Sequence, residues 1–116
     1  MRIRSVLQEY QARLRPTTSA ASSAPGSGHG NAEWKVYADG TRRCKVWVSG
    51  LDLSDGAVLQ LSVSGGQLAE MLVRHGRARY RRESERGEAV PAVELDQVLQ
   101  ISYAGMVILE GSFYPD

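Results

Sequence analysis

Between positions 74 and 88 the chain reads RHGRARYRRESERGE, six arginines and three glutamates around a single tyrosine. Guanidinium groups in a row contact phosphates, and an aromatic ring beside them stacks on a base, so these residue types suit single-stranded nucleic acid when ring and cations share one side. On a strand over residues 78–83, Ala78, Tyr80 and Arg82 face one way while Arg77, Arg79, Arg81 and Glu83 face the other. Tyr80 is thereby separated from the arginine row and assigned to the core face. Glu83, Glu85 and Glu88 reduce the local charge, and Glu70 on the preceding strand is expected to lie opposite an arginine and pair with it. The sequence therefore favours a solvated hairpin face that protects a sheet edge, with Arg77, Arg79 and Arg81 kept as contacts for a polyanion or an acidic protein surface.

Other residues with chemical potential are isolated. Cys44 alternates with Lys45 and shares a face with Val46 and Val48, so it reads as a small core residue rather than a nucleophile. His29 and His75 lie far apart in the chain, and with one cysteine there is neither zinc-ligand spacing nor an internal disulfide. Asp52 and Asp55 in LDLSDG do not match the twelve-residue calcium loop and lack its terminal glutamate; turn formation is the expected role. Each glycine cluster leads from one apparent strand into another with no helix behind it, which excludes a phosphate-binding loop. No catalytic, metal or cofactor residue is assigned, and no cofactor is expected. Trp34, Tyr37 and Trp47 offer one further possibility, since exposed tryptophans serve as contact hot spots; burial of Trp47 under a neighbouring segment is the expected alternative.

The elements that would hold these residues follow from length and periodicity. The 116 residues carry a net charge of +1 and 42% apolar content, enough for one compact domain with a tail. So neutral a balance removes the simplest argument for polyanion binding. No stretch approaches the roughly twenty apolar residues needed to span a bilayer. Gln8, Glu9 and Gln11 interrupt what a secretory signal would need, and a cytoplasmic location is the expectation.

Near the start, Ile3, Val6, Leu7, Tyr10 and Leu14 fall on one stripe at helical spacing, with Arg2, Gln8, Glu9, Gln11 and Arg13 opposite, and Pro16 closes the pattern. An amphipathic helix over residues 1–15 is predicted. Being too short to hold itself in water, it requires a surface to cover its stripe, either on its own domain or on another protein chain. Residues 16–32 contain no large apolar side chain and read as a flexible Ser/Gly/Pro/Ala linker.

From residue 33 onward the period becomes two, punctuated by Asp39-Gly40, Asp55-Gly56 and Gly65-Gly66. QLAEMLV and RARYRRE read as a pair joined through His75-Gly76, and VLQISY with MVILEGSF as a pair joined through Ala104-Gly105. Met106, Val107, Ile108 and Leu109 are apolar without interruption, which marks a centrally buried strand, an oligomer contact being the alternative. Residues 33–116 are thus expected to form an all-β domain, a small antiparallel β-sandwich or barrel of about six to eight strands.

Gly50-Leu51, Asp55-Gly56, Gly66, Gly76, Val90-Pro91, Asp96, Gly105 and Gly111-Ser112-Phe113, spread over about the last seventy residues, resemble a small all-β module that recurs in uncharacterised bacterial proteins. The resemblance implies an all-β fold and carries no catalytic residue onto this chain. The functional expectation is a non-enzymatic structural or protein-interaction module, attached through its N-terminal segment or self-associating through β-edges. A nucleic-acid-binding domain using the hairpin of residues 74–86 is the alternative.

Overall fold

The computed structural model describes residues 5–17 and 28–115. These form an all-β, nearly closed barrel of antiparallel strands. The strands are β1 (Val6–Pro16), β2 (His29–Tyr37), β3 (Arg42–Ser49), β4 (Val58–Val63), β5 (Gly66–Leu72), β6 (Ala78–Glu83), β7 (Val98–Tyr103), β8 (Met106–Ser112) and the short β9 (Tyr114–Pro115). A single 3-10 turn, Ser84–Arg86, follows β6. In space the order is β5, β4, β7, β8, β1, β2, β3, β6, with β9 added beside β1.

Two-residue turns fix three of the hairpins. Ser64-Gly65, His75-Gly76 and Ala104-Gly105 all have positive φ at both positions, the conformation whose twist matches that of the flanking strands. Along each strand, alternate residues enter the barrel: Cys44, Val46 and Val48 from β3, Leu59 and Leu61 from β4, Leu99 and Ile101 from β7. Trp34 occupies the interior from β2, edge-on to Phe113 at 5.2 Å, and its indole N–H donates to the Pro91 carbonyl at 3.1 Å. The uninterrupted run of β8 is placed between β7 and β1, in accord with a central strand; Ile108 and Leu109 are both fully covered.

The N-terminal segment corrects the sequence reading. Residues 6–16 are a strand, not a helix: β1 pairs antiparallel with β2 from Val6 to Leu14, and its other edge meets β9 at Tyr10 and Gln11 and β8 at Arg15 and Pro16. Tyr10, Ala12 and Leu14 point inward at period two, while Leu7 is 66% exposed. Helix-favouring residues such as Leu, Gln, Glu and Arg are overridden because β1 joins the two halves of the sheet; without it β2 and β8 would each present an open edge. Gly111 on β8 shows how close the strands run, since a Cβ there would collide with the Arg13 carbonyl oxygen. The linker expectation changes as well. Pro16 belongs to β1 and His29–Ala32 to β2, so the barrel takes in residues on both sides of the proposed tether, of which residues 18–27 lie outside the described residues.

One predicted hairpin forms only at its tip. Arg74 and Arg77 exchange two backbone hydrogen bonds across His75-Gly76, at 2.8 and 3.0 Å, and beyond that rung β5 and β6 do not pair. The barrel is left with a seam. Among the described residues Glu70 forms no ion pair, contrary to the expected cross-strand partner, because its strand never reaches that register with β6.

Candidate interaction surface

The seam is best built from the alternation of backbone groups. Arg77 and Glu83 turn theirs away from β3: the former bonds Arg74, and the latter's N–H donates to Glu88 Oε1 at 3.0 Å while its carbonyl accepts the Glu88 N–H at 3.3 Å. With a repeat of two residues, Arg79 and Arg81 must aim their backbone groups the same way. On β5, Val73 is bonded to the segment before β4 through Gly56 and Ala57, and Arg74 to Arg77, so Leu72 and Glu70 face the seam by the same alternation. Continuing the Arg74 to Arg77 register would set Leu72 opposite Arg79 and Glu70 opposite Arg81. No strand of the described sheet meets these four residues on that side. Among the described residues the Arg81 carbonyl finds a side-chain partner, accepting Nη1 of Arg82 at 2.7 Å.

The outward face beside the seam is basic and contains a tryptophan. Arg77, Arg79 and Arg81 are exposed, as their alternation requires, and Tyr80 is buried on the opposite face beneath the Arg82 guanidinium, 4.6 Å from its ring centre. Strand pairing adds what the hairpin alone does not contain. Trp47 of β3 lies opposite Arg79, and Lys45 lies opposite Arg81. Trp47 remains 39% exposed rather than covered by residues 33–37, so an aromatic ring does share a side with the arginine row. A groove of about 1060 Å³ runs over this face, lined among others by Lys45, Trp47, Leu72, Arg74, Arg77 and Arg79. A smaller one of about 650 Å³ continues along the seam between Leu68 and Ala69 on one lip and Tyr80 and Arg82 on the other.

Charge is distributed unevenly over the surface. Glu33 receives Lys35 and Arg43 at 3.4 Å each, Glu83 binds Arg81 at 3.1 Å and Arg86 at 3.0 Å, and Glu88 approaches Arg82 at 3.8 Å. The Glu83 carboxyl is held below its ordinary range first by the hydrogen bond from Arg81, then by the surrounding charges of Arg81, Arg86 and Arg43, against the opposing effect of burial. Lys45, Arg74, Arg77 and Arg79 make no ion pair among the described residues, and all four line the larger groove.

The other sequence candidates are dispersed. Of the five apolar N-terminal residues, Ile3 lies outside the described residues, Val6 and Leu7 are exposed, Tyr10 is half-buried and Leu14 is enclosed. The four described residues do not make one docking stripe, because a strand sends neighbours to opposite faces. Cys44 is fully buried, and burial pushes its thiol up to about 11, which leaves it protonated at neutral pH. His29 contacts Ser49 Oγ at 3.2 Å, and Asp55 accepts the His75 backbone N–H at 2.8 Å, a loop staple in keeping with the turn role. Among the described residues, no three His, Cys, Asp or Glu side chains are arranged to hold a metal ion, and no helix is long and apolar enough to cross a membrane.

Sequence reasoning missed Trp47 as a companion of Arg79. A strand's own period tells which residues share its face but not which residue of another strand lies alongside. No protein-family model matches this chain, and no curated protein shows detectable similarity to it, so any functional reading must rest on the seam and the face beside it.

Proposed function

We propose that the protein is a non-enzymatic interaction module that holds an extended segment of another protein chain along the β5/β6 seam. The observation that carries this reading is the set of seam-facing residues that have no strand partner among the described residues: Glu70, Leu72, Arg79 and Arg81. Free backbone donors and acceptors in a row are a template for strand addition, in which main-chain hydrogen bonds supply affinity and alternate side chains supply specificity. Each added bond contributes a net ~0.5–1.5 kcal/mol, so three or four of them supply about 2–6 kcal/mol and apolar contact must supply the rest. The partly covered Leu68 and Ala69 beside the seam offer that contact.

Hydrogen exchange on the full chain tests the proposal, with a short capped Val/Thr-rich peptide as probe. The Arg79 and Arg81 amides should exchange quickly in the free protein and slow on adding the peptide, and Arg79→Pro, which deletes a seam-facing N–H, should weaken binding. Unchanged exchange at both amides over the whole titration refutes strand capture. Protection that rises with protein concentration alone would instead make the guest a second copy of this chain.

Single-stranded nucleic acid is the second reading, favoured by the register that sets Trp47 beside Arg79. It requires salt-sensitive retention on an oligothymidylate column, with Trp47→Ala and Arg79→Gln both reducing it.

A further inference from the structure

We infer that the segment held at the seam is acidic, with a carboxylate opposite Arg79 and beside Arg77, and a neutral residue opposite Arg81. This rests on the strand-capture reading and specifies the guest's chemistry. A strand laid against β6 places alternate side chains about 5 Å from those of β6 on the outer face. There the first of them meets Arg79, with Arg77 and Arg74 of the closing rung beside it in the same groove, all without ion pairs among the described residues. One step further along, Arg81 is already bound to Glu83, and the charge of Lys45, opposite Arg81 on β3, is offset by that of Glu70 on the facing lip. A carboxylate is favoured at the first level, where only cations face it, and gains no net attraction at the second, where the charges balance. The residues between, turned inward, rest over Tyr80 and the half-covered Leu68 and Ala69, and should be apolar.

The same geometry disfavours nucleic acid as the guest. A polynucleotide brings a phosphate with every residue and cannot omit the charge that would lie beside Glu70. Successive bases also need successive rings, whereas Trp47 is the one exposed aromatic side chain that the described residues place on this groove, Tyr80 being turned inward under Arg82. A peptide can vary its charge position by position. The ring of Trp47, opposite Arg79, then flanks the first carboxylate as apolar cover and as an optical reporter.

The test uses the full chain and three probes: a capped peptide alternating Glu with Val over its first half and Thr with Val over its second, the same peptide with Gln for Glu, and oligothymidylate. Binding is followed by fluorescence, with Arg79 and Arg81 amide protection as the independent measure of strand pairing. The acidic peptide should bind about tenfold more tightly than its Gln counterpart, the order expected for two exposed ion pairs, and the difference should shrink with salt. The double variant Arg77→Gln/Arg79→Gln should erase that preference, while Arg13→Gln/Arg15→Gln, with the same change in net charge on β1, should preserve it. Equal binding of the two peptides with protected amides overturns the acidic guest and leaves strand capture standing. Tighter binding of oligothymidylate than of either peptide overturns it in favour of nucleic acid. Absence of amide protection with both peptides removes both proposals together.

Discussion

Leu14→Ala, compared with Leu7→Ala, measures whether the N-terminal segment is a wall of the barrel. Helical spacing puts both leucines on one stripe; the strand puts Leu14 inside at 1% exposure and leaves Leu7 66% exposed. Leu14 packs over Gly30, its register partner on β2, where an added Cβ would come within 3.2 Å of Leu14 Cδ1. Truncation removes three carbon groups from an enclosed site, about 2.4 kcal/mol at ~0.8 kcal/mol each. The unfilled volume raises the expected loss to about 3–5 kcal/mol, a large share of the ~5–15 kcal/mol that holds a domain together. Leu7→Ala should stay within about 0.5 kcal/mol. Urea denaturation followed by fluorescence gives both values from midpoints at constant slope. Equal and small losses for the two variants would show that β1 does not belong to the folded core, and the barrel described above would be wrong.

Three other outcomes follow from the same packing. Gly111→Ala should severely destabilise or prevent folding, because its Cβ would meet the Arg13 backbone, while Gly66→Ala, whose nearest atom would be the Val63 carbonyl oxygen at 3.6 Å, should be tolerated; comparable melting temperatures would refute the close β8–β1 approach. Glu83 has a folded-state pKa below its unfolded value, so its contribution is present above the ordinary carboxylate range and is lost as pH falls through the depressed folded value. Glu83→Gln should therefore lower stability at neutral pH and flatten the acid limb of the stability profile, a parallel shift of the whole curve being the contrary result. Cys44, enclosed and with its thiol pushed up to about 11, should react with a thiol reagent in the native protein only at the rate of opening, and rapidly in urea; fast labelling of the native chain would contradict its burial.

Most of the β architecture is readable from residue 33 onward because burial there follows the pleat. Cys44, Val46 and Val48, Leu59 and Leu61, and Leu99 and Ile101 are each an alternating set that a strand must turn to one side, and the turn pairs separate them. The N-terminal segment misled because residues 10 and 14 are four apart, a spacing that keeps two side chains on one face of a helix and of a strand alike. The discriminating positions are Ala12, inward on the strand and opposite on a helix, and Leu7, where the reverse holds; Ala12 is too small an apolar signal to decide against Leu7.

From residue 33 onward, local order was thus determined by sequence: an all-β body, the turns, the buried Cys44 and an outward row of Arg77, Arg79 and Arg81. Only the tertiary structure decided which strands stand side by side. Register between segments far apart in the chain depends on how the whole sheet curves and closes, and no single strand's period contains that information. It placed Trp47 beside Arg79, drew β1 between β8 and β2, and stopped the β5/β6 hairpin after its first rung.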